Sequence, residues 1–165
     1  MKYSGVLLAA LLSPMLATDL GAQGADAPAC GAFKVFATAE TRGFVDLGDV
    51  GPTGGDQRVG RYKLSAEDGK DLGVMHFSSI VMPKGQLRES PLMTTLHFAF
   101  ANGSLVAMSV IGLPRPADTD AGPDEDLDYA VTGGTGDFAH ASGILITRTV
   151  DDDRREMSFD LDCGH

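Results

Sequence analysis

With 165 residues, 23 acidic against 13 basic side chains and a net charge of -10, the chain is long enough for one real core and too acidic for a phosphate-binding surface. Neutralising a nucleic-acid backbone takes clustered Lys and Arg, and the sequence has no such cluster, so a nucleic-acid partner is not expected.

Lys2 precedes an apolar run from Gly5 to Ala17, and small residues follow through Ala22, Gly24 and Ala27. That is the order of a secretory signal peptide, too short and too interrupted by Pro14 for a membrane span. We therefore expect residues 1–24 to be a removable signal, residues 25–165 a single domain, and the product secreted or periplasmic. Cys30 follows Ala27-Pro28-Ala29 far from the apolar run, which argues against a lipid anchor. Cys30 and Cys163 stand near the two ends, and in an exported chain such a pair reads as a disulfide, with two free thiols as the alternative.

Ala32 to Thr38 reads as a first strand, with Phe33, Val35 and Phe36 in a short apolar run. Phe44 to Pro52 is punctuated by Gly and Pro, and Thr53 to Asp56 is Gly-rich, so a structured loop is expected there. Arg58–Ser65 and Gly73–Met82 read as strands joined at Ala66-Glu67-Asp68-Gly69-Lys70, where Asp-Gly supplies the bend. Leu92–Phe100 places Leu96, Phe98 and Phe100 on one face and His97 and Ala99 on the other. Asn102-Gly103 then turns the chain into a strand over Ser104–Gly112.

Leu113 to Asp126 holds Pro114, Pro116 and Pro123 among carboxylates and is expected to be a loop. With Asp128, its acids Asp118, Asp120, Asp124, Glu125 and Asp126 raise a calcium site as an alternative, but Pro123 after Gly122 breaks the spacing of a calcium loop, and a solvated acidic loop is expected. Asp128–Thr132 and Gly143–Val150 read as strands around a glycine-rich stretch, and Met157, Phe159 and Leu161 alternate with polar residues in the last strand. Short strands at regular spacing, with no convincing helix, predict an all-β barrel or sandwich.

Two readings compete for Gly133-Gly134-Thr135-Gly136-Asp137-Phe138-Ala139. It satisfies the letters of a dinucleotide-binding loop, yet Phe138 to Gly143 lacks the apolar stripe of the helix such a loop must open. The better reading is a corner between antiparallel strands, with Phe138 plugging one end of the barrel.

Three segments in order resemble one family. Leu47-Gly48-Asp49-x-x-Pro52 with Arg58-Val59-Gly60, then Phe98-x-Phe100 with Met108-Ser109-Val110-Ile111-Gly112, then the glycine corner, look like the allene oxide cyclase/dirigent superfamily over roughly Phe33 to Cys163. The resemblance implies an eight-stranded antiparallel β-barrel, often trimeric, whose cavity takes a lipid-derived or phenolic hydrophobic molecule and steers its cyclisation, isomerisation or stereoselective coupling without cofactor or metal. A non-catalytic carrier of an apolar ligand is the alternative. Where plant cyclases carry a Glu and an Asn on the first strand, this chain has Ala37 and Ala39, and Ser142 replaces the corner Arg of dirigent proteins.

On this reading Asp49, Asp46 and His97 are the candidate catalytic groups, the acids because an apolar cavity would raise their pKa. Pro52, His76, Phe98, Phe100 and Phe138 are the candidate substrate contacts. The structural alternatives are a turn-capping aspartate and histidines on the barrel exterior. His-Glu-x-x-His, Cys-x-x-Cys and Gly-x-Ser-x-Gly are all absent from the sequence.

Overall fold

Among residues 27–49, 53–83, 91–111 and 126–164, which a computed structural model describes, every regular element is a strand. In chain order they are β1 (Ala32–Val45), β2 (Gln57–Ser65), β3 (Asp71–Val81), β4 (Leu92–Phe100), β5 (Gly103–Ile111), β6 (Leu127–Gly136), β7 (Ser142–Thr149) and β8 (Arg154–Asp162). Each pairs antiparallel with the next, and β8 returns to β1, closing the barrel expected from the resemblance and leaving no free edge. The expected signal segment 1–24, Pro52 and the acids Asp118 to Glu125 lie outside the described residues.

Side-chain alternation decides which face is inside. In β4, Leu92, Thr94, Leu96, Phe98 and Phe100 are buried while the residues between them are half-buried or exposed, the period of two that a pleated strand imposes. Met157, Phe159 and Leu161 do the same in β8. Register then stacks these inward residues ring by ring: Phe33 lies opposite Phe159, Val35 opposite Met157, and Ala37 opposite Arg155.

Two elements are longer than hydropathy predicts. β1 continues through Val45, because after a register shift between Ala39 and Thr41 its second half pairs with β2 as far as Val45 opposite Gln57. Phe44 and Val45, expected in a loop, are therefore strand residues with exposed side chains. β6 runs through the glycines to Gly136, with Gly134 opposite Leu105 and Gly136 opposite Gly103, so the turn is Asp137 to His140 rather than the glycines themselves. At Gly134 a Cβ would lie 2.6 Å from the Phe138 carbonyl oxygen and 2.8 Å from its Cβ, so only glycine lets the corner fold back this tightly.

The fold-back delivers Phe138 to the lower end of the barrel. Fully buried, its ring lies 5.5 Å from Phe100 and 6.2 Å from Phe33, while Phe33 stacks on Phe159 at 4.5 Å and Phe98 meets Phe159 edge-on at 5.1 Å. Five phenylalanines thus floor the interior, each ring pair adding about 0.5–1.5 kcal/mol beyond simple burial. Cys30 and Cys163 form a disulfide at the same end, with Cα atoms 6.2 Å apart, tying the entry of β1 to the exit of β8.

Candidate functional site

Above the phenylalanine floor the inward positions change character. β2 presents Tyr62, β3 Ser79, β4 Thr94, β6 Tyr129, β7 Thr147 and Thr149, and β8 Arg155, all in phase with buried apolar residues on the same strands. Ala37 and Ala39 supply the small inward side chains of β1, facing Arg155 and Tyr62 across the ladders. Where the resemblance leads one to look for a Glu and an Asn, the methyl groups leave the polar work to cross-strand neighbours.

Each of these polar groups sits on a closed ladder, which restricts where it can reach. Ser79 and Thr94 are register partners and satisfy one another by a 2.8 Å hydrogen bond between their hydroxyls. Thr149 lies opposite Arg155 and accepts a 3.1 Å hydrogen bond from its Nη1. Thr147, 2% exposed, has no partner for Oγ1. A buried hydroxyl left in that state is uncommon, because its desolvation is not offset.

Tyr129 is buried as well, and burial pushes its phenol pKa up, with the Arg155 charge opposing and Tyr62 adding to the rise. It is a neutral hydrogen-bond donor at physiological pH. Tyr62 packs against Phe77 at 5.9 Å, and that ring occupies the space over Gly60 where a Cβ would meet it and would lie 2.6 Å from the Thr41 carbonyl oxygen. Above Tyr62 stands Arg42, its guanidinium carbon 5.7 Å from the ring centroid. A hydrogen bond with the Tyr62 phenol holds that guanidinium more firmly protonated than usual; burial opposes it, and the charges of Tyr62, Asp153 and Asp152 add to the rise. Arg42 also reaches the Asp152 carbonyl at 2.8 Å and Asp153 Oδ1 at 3.4 Å.

The residues singled out from sequence are distributed differently from a single site. His76 and His97 are register partners on β3 and β4, and both are exposed on the outer face, so neither imidazole reaches the interior. Asp46 and Asp49 are exposed in the loop after β1, where Asp46 Oδ1 caps its own turn by accepting the Gly48 N–H at 3.3 Å. Phe98, Phe100 and Phe138 belong to the closed floor.

The organiser of that loop is Asp56, which the sequence reading passed over. Buried, it accepts hydrogen bonds from the Leu47 N–H at 2.9 Å, the Thr53 N–H at 2.6 Å and the Thr53 hydroxyl at 3.2 Å. The Leu47 amide first, then the Thr53 amide, hold its carboxyl below the usual range, with burial opposing and the Thr53 hydroxyl assisting. A usable signal for the upper interior did exist in the sequence. Arg155 falls two residues before Met157 on the face of Phe159 and Leu161, and Thr147 two residues after Leu145 on the inward face of β7.

In chemical terms the upper interior offers neutral hydroxyl donors and the half-buried guanidiniums of Arg155 and Arg58 over an apolar floor. Such a set is chemically suited to hydrogen-bonding the oxygen atoms of a mostly apolar molecule. Among the described residues no three His, Cys, Asp or Glu side chains converge as metal ligands.

No protein-family model matches the chain, and neither does any curated protein. Solved structures do match in fold. The chain is similar to a pyocyanin demethylase (TM-score 0.66, 19% identity, 79% of this chain and 99% of that one). It is also similar to the Diels–Alderase AbmU from Streptomyces koyangensis (TM-score 0.64, 9% identity, 79% of this chain and 63% of that one). A third match is AbnU, an exo-specific intermolecular Diels–Alderase (TM-score 0.60, 12% identity, 79% of this chain and 96% of that one). At these identities the likeness establishes the barrel and its strand order.

Proposed function

We propose that this chain is an exported barrel that binds a small, largely hydrophobic, lipid-derived or phenolic molecule in its upper interior and steers its cyclisation, isomerisation or stereoselective coupling. The observation that carries this reading is the Thr147 hydroxyl, buried, inward-facing and without a partner, on the same wall as the buried Tyr129 phenol. Interior polar groups are normally satisfied by the protein itself, so an unsatisfied donor aimed inward is a place kept for a ligand oxygen. The scaffold supports the same view, since structures sharing this barrel include a pyocyanin demethylase and two Diels–Alderases.

Catalysis in this proposal is mostly positional: the phenylalanine floor sets depth, and hydrogen bonds to the guest oxygen set its orientation, which lowers the entropy cost of ring closure or coupling. Tyr129 is the proton-bearing group of the interior, and Asp46 and Asp49 are the acids proposed from the loop above β1 and β2. Membership of the allene oxide cyclase/dirigent superfamily, a signal segment over 1–24, and the absence of a membrane anchor, cofactor or nucleic-acid partner complete the proposal. The disulfide supports the exported location.

A homotrimer is part of the same reading. On the outer face Met108, Ala130 and Ile144 are successive register partners across β5, β6 and β7, with Val110 64% exposed beside them. This apolar strip is the surface proposed to bury itself between copies. Val110→Lys is expected to convert a trimer to monomers in sedimentation equilibrium; a monomeric parent protein removes the trimer.

A second reading, a carrier that performs no chemistry, is favoured by one observation: His76, His97, Asp46 and Asp49 are all exposed, away from the interior. Native mass spectrometry of the protein from an exporting host, followed by denaturation, tests both. A released lipid-like or phenolic molecule supports binding, and its conversion by fresh protein separates catalyst from carrier. Protein that releases nothing and binds no apolar probe sinks both readings. If turnover is found, Tyr129→Phe is expected to reduce it at least tenfold while the melting temperature stays close to that of the parent, and Asp49→Asn reports separately on the loop acid.

A further inference from the structure

Resting on the ligand-binding reading above, the charge of the upper interior narrows the class of molecule it accepts. Arg155 occupies the inward face of β8, one ring above Met157, with Ala37 across one ladder and Thr149 across the other. Its one hydrogen-bond partner among the described residues is the neutral Thr149 hydroxyl, and no carboxylate there pairs with it. The remaining N–H donors of its planar five-donor fork have no protein acceptor among the described residues.

Arg58, in phase with Tyr62 and Leu64 on β2 and opposite Ser79, is a second inward cation with no ion pair among the described residues, whereas most of the other described cations in this chain of 23 acids and 13 bases find one. Lys34, Arg42, Arg61, Lys63 and Arg148 each meet a carboxylate, at Glu156, Asp153, Glu40, Asp71 and Asp126 respectively. Partners are plentiful on the outside, yet Arg155 is turned away from them. Arg155 is half-buried, so it gives up part of its hydration on the inward face without a counter-charge in return. Two hydroxyls share its wall: Thr147 Oγ1, buried and unsatisfied, and the Tyr129 phenol, which lies close enough for the Arg155 charge to act on its ionisation.

The geometry points to a ligand that is an apolar organic acid, its carboxylate paired with Arg155 and hydrogen-bonded by Thr147 and Tyr129, its hydrocarbon body directed down toward Met157, Leu96 and Phe98. A carboxylate suits the site because it takes two parallel hydrogen bonds from a guanidinium fork and still has lone pairs for both hydroxyls. The exposed acids above β1 and β2 do not exclude such a ligand, because water and salt screen them.

The test compares naphthoate with the matching naphthylmethanol, the same ring bearing a carboxylate or a hydroxymethyl group, by titration calorimetry on the full chain at neutral pH. The parent protein is expected to bind naphthoate at least about tenfold more tightly, the usual worth of a charge-assisted hydrogen bond. Arg155→Met is expected to bring the two affinities together while retaining the alcohol, which also shows that the variant is folded. Arg155→Lys should restore part of the preference, and Thr147→Val should lower it several-fold with Arg155 intact.

Equal affinity for both compounds in the parent overturns the acid preference and leaves ligand binding standing. A preference that survives both Arg155→Met and Thr147→Val overturns the assignment to this wall. Binding of neither compound overturns the ligand-binding reading and this inference with it.

Discussion

The lower and upper halves of the barrel are built from the same eight strands, yet they solve opposite problems. Below, Phe33, Phe98, Phe100, Phe138 and Phe159 fill the interior, the glycine corner folds in to close it, and a disulfide clamps the seam between β1 and β8. Above, the same inward phase carries Tyr62, Ser79, Thr94, Tyr129, Thr147 and Arg155, of which Thr147 is unsatisfied and Arg155 lacks a counter-charge among the described residues. One half spends its inward positions on stability and the other gives some up. An inward hydroxyl without a partner at one end, set against a closely packed aromatic floor at the other, fits the proposed binding end on a rigid base.

The largest effect should come from the floor. Phe138→Ala removes a fully buried ring packed against Phe33 and Phe100 and is expected to cost about 3–5 kcal/mol in urea denaturation. A cost under about 1 kcal/mol would mean that the corner collapses inward and that the floor is softer than its packing implies. Next in size is the clamp. Replacing Cys30 and Cys163 together with Ser opens a loop of sequence separation 133 and should destabilise by about 2–4 kcal/mol under oxidising conditions, with reductant lowering the melting temperature of the parent toward that of the variant.

Asp56 sharpens the contrast from the loop above. Its carboxyl pKa is lower folded than unfolded, so its contribution to stability is complete above the ordinary carboxylate value and is lost as pH falls through the lower folded value. Asp56→Asn should therefore flatten the acid limb of a melting-temperature profile and leave the profile above neutral pH parallel to that of the parent. An unchanged acid limb would place the pH sensitivity elsewhere.

The smallest effect is also the most diagnostic. Arg155→Met replaces an uncompensated inward cation by an apolar chain of similar reach and is expected to leave the ligand-free protein as stable or up to about 1 kcal/mol more stable. A loss of stability would assign Arg155 to the framework, as the Thr149 partner alone would suggest, and the two halves would then differ less than their residues imply.

Much of the architecture was legible. Alternation in Leu92–Phe100 and around Met157, Phe159 and Leu161 marked strands and their faces, Asn102-Gly103 marked a hairpin, and the placement of the cysteines marked the clamp. Phe138 stood out as a lone aromatic in a glycine corner and is indeed the plug. The second half of β1 was not legible, because Thr41 to Val45 is held by backbone pairing to β2, and its side chains remain exposed and follow no apolar rhythm. His97 attracted notice as a titratable group in a strand, although its phase opposite Leu96 and Phe98 already put it outside.

What the sequence determined by itself is the period-two pattern: which residues of a strand share a face, where the chain turns, and which end carries the aromatic plug. Which faces meet one another was decided only by closure. Thr147, Tyr129 and Arg155 lie on three different strands, and nothing local states how far each polar member is staggered from the next on the shared inward face. Register across β6, β7, β8 and β1 sets that stagger, with Tyr129 opposite Leu145, Thr147 opposite Met157 and Arg155 opposite Thr149, because in a closed barrel each pairing fixes the next. The upper wall therefore exists only in the tertiary structure, although every residue in it was visible beforehand.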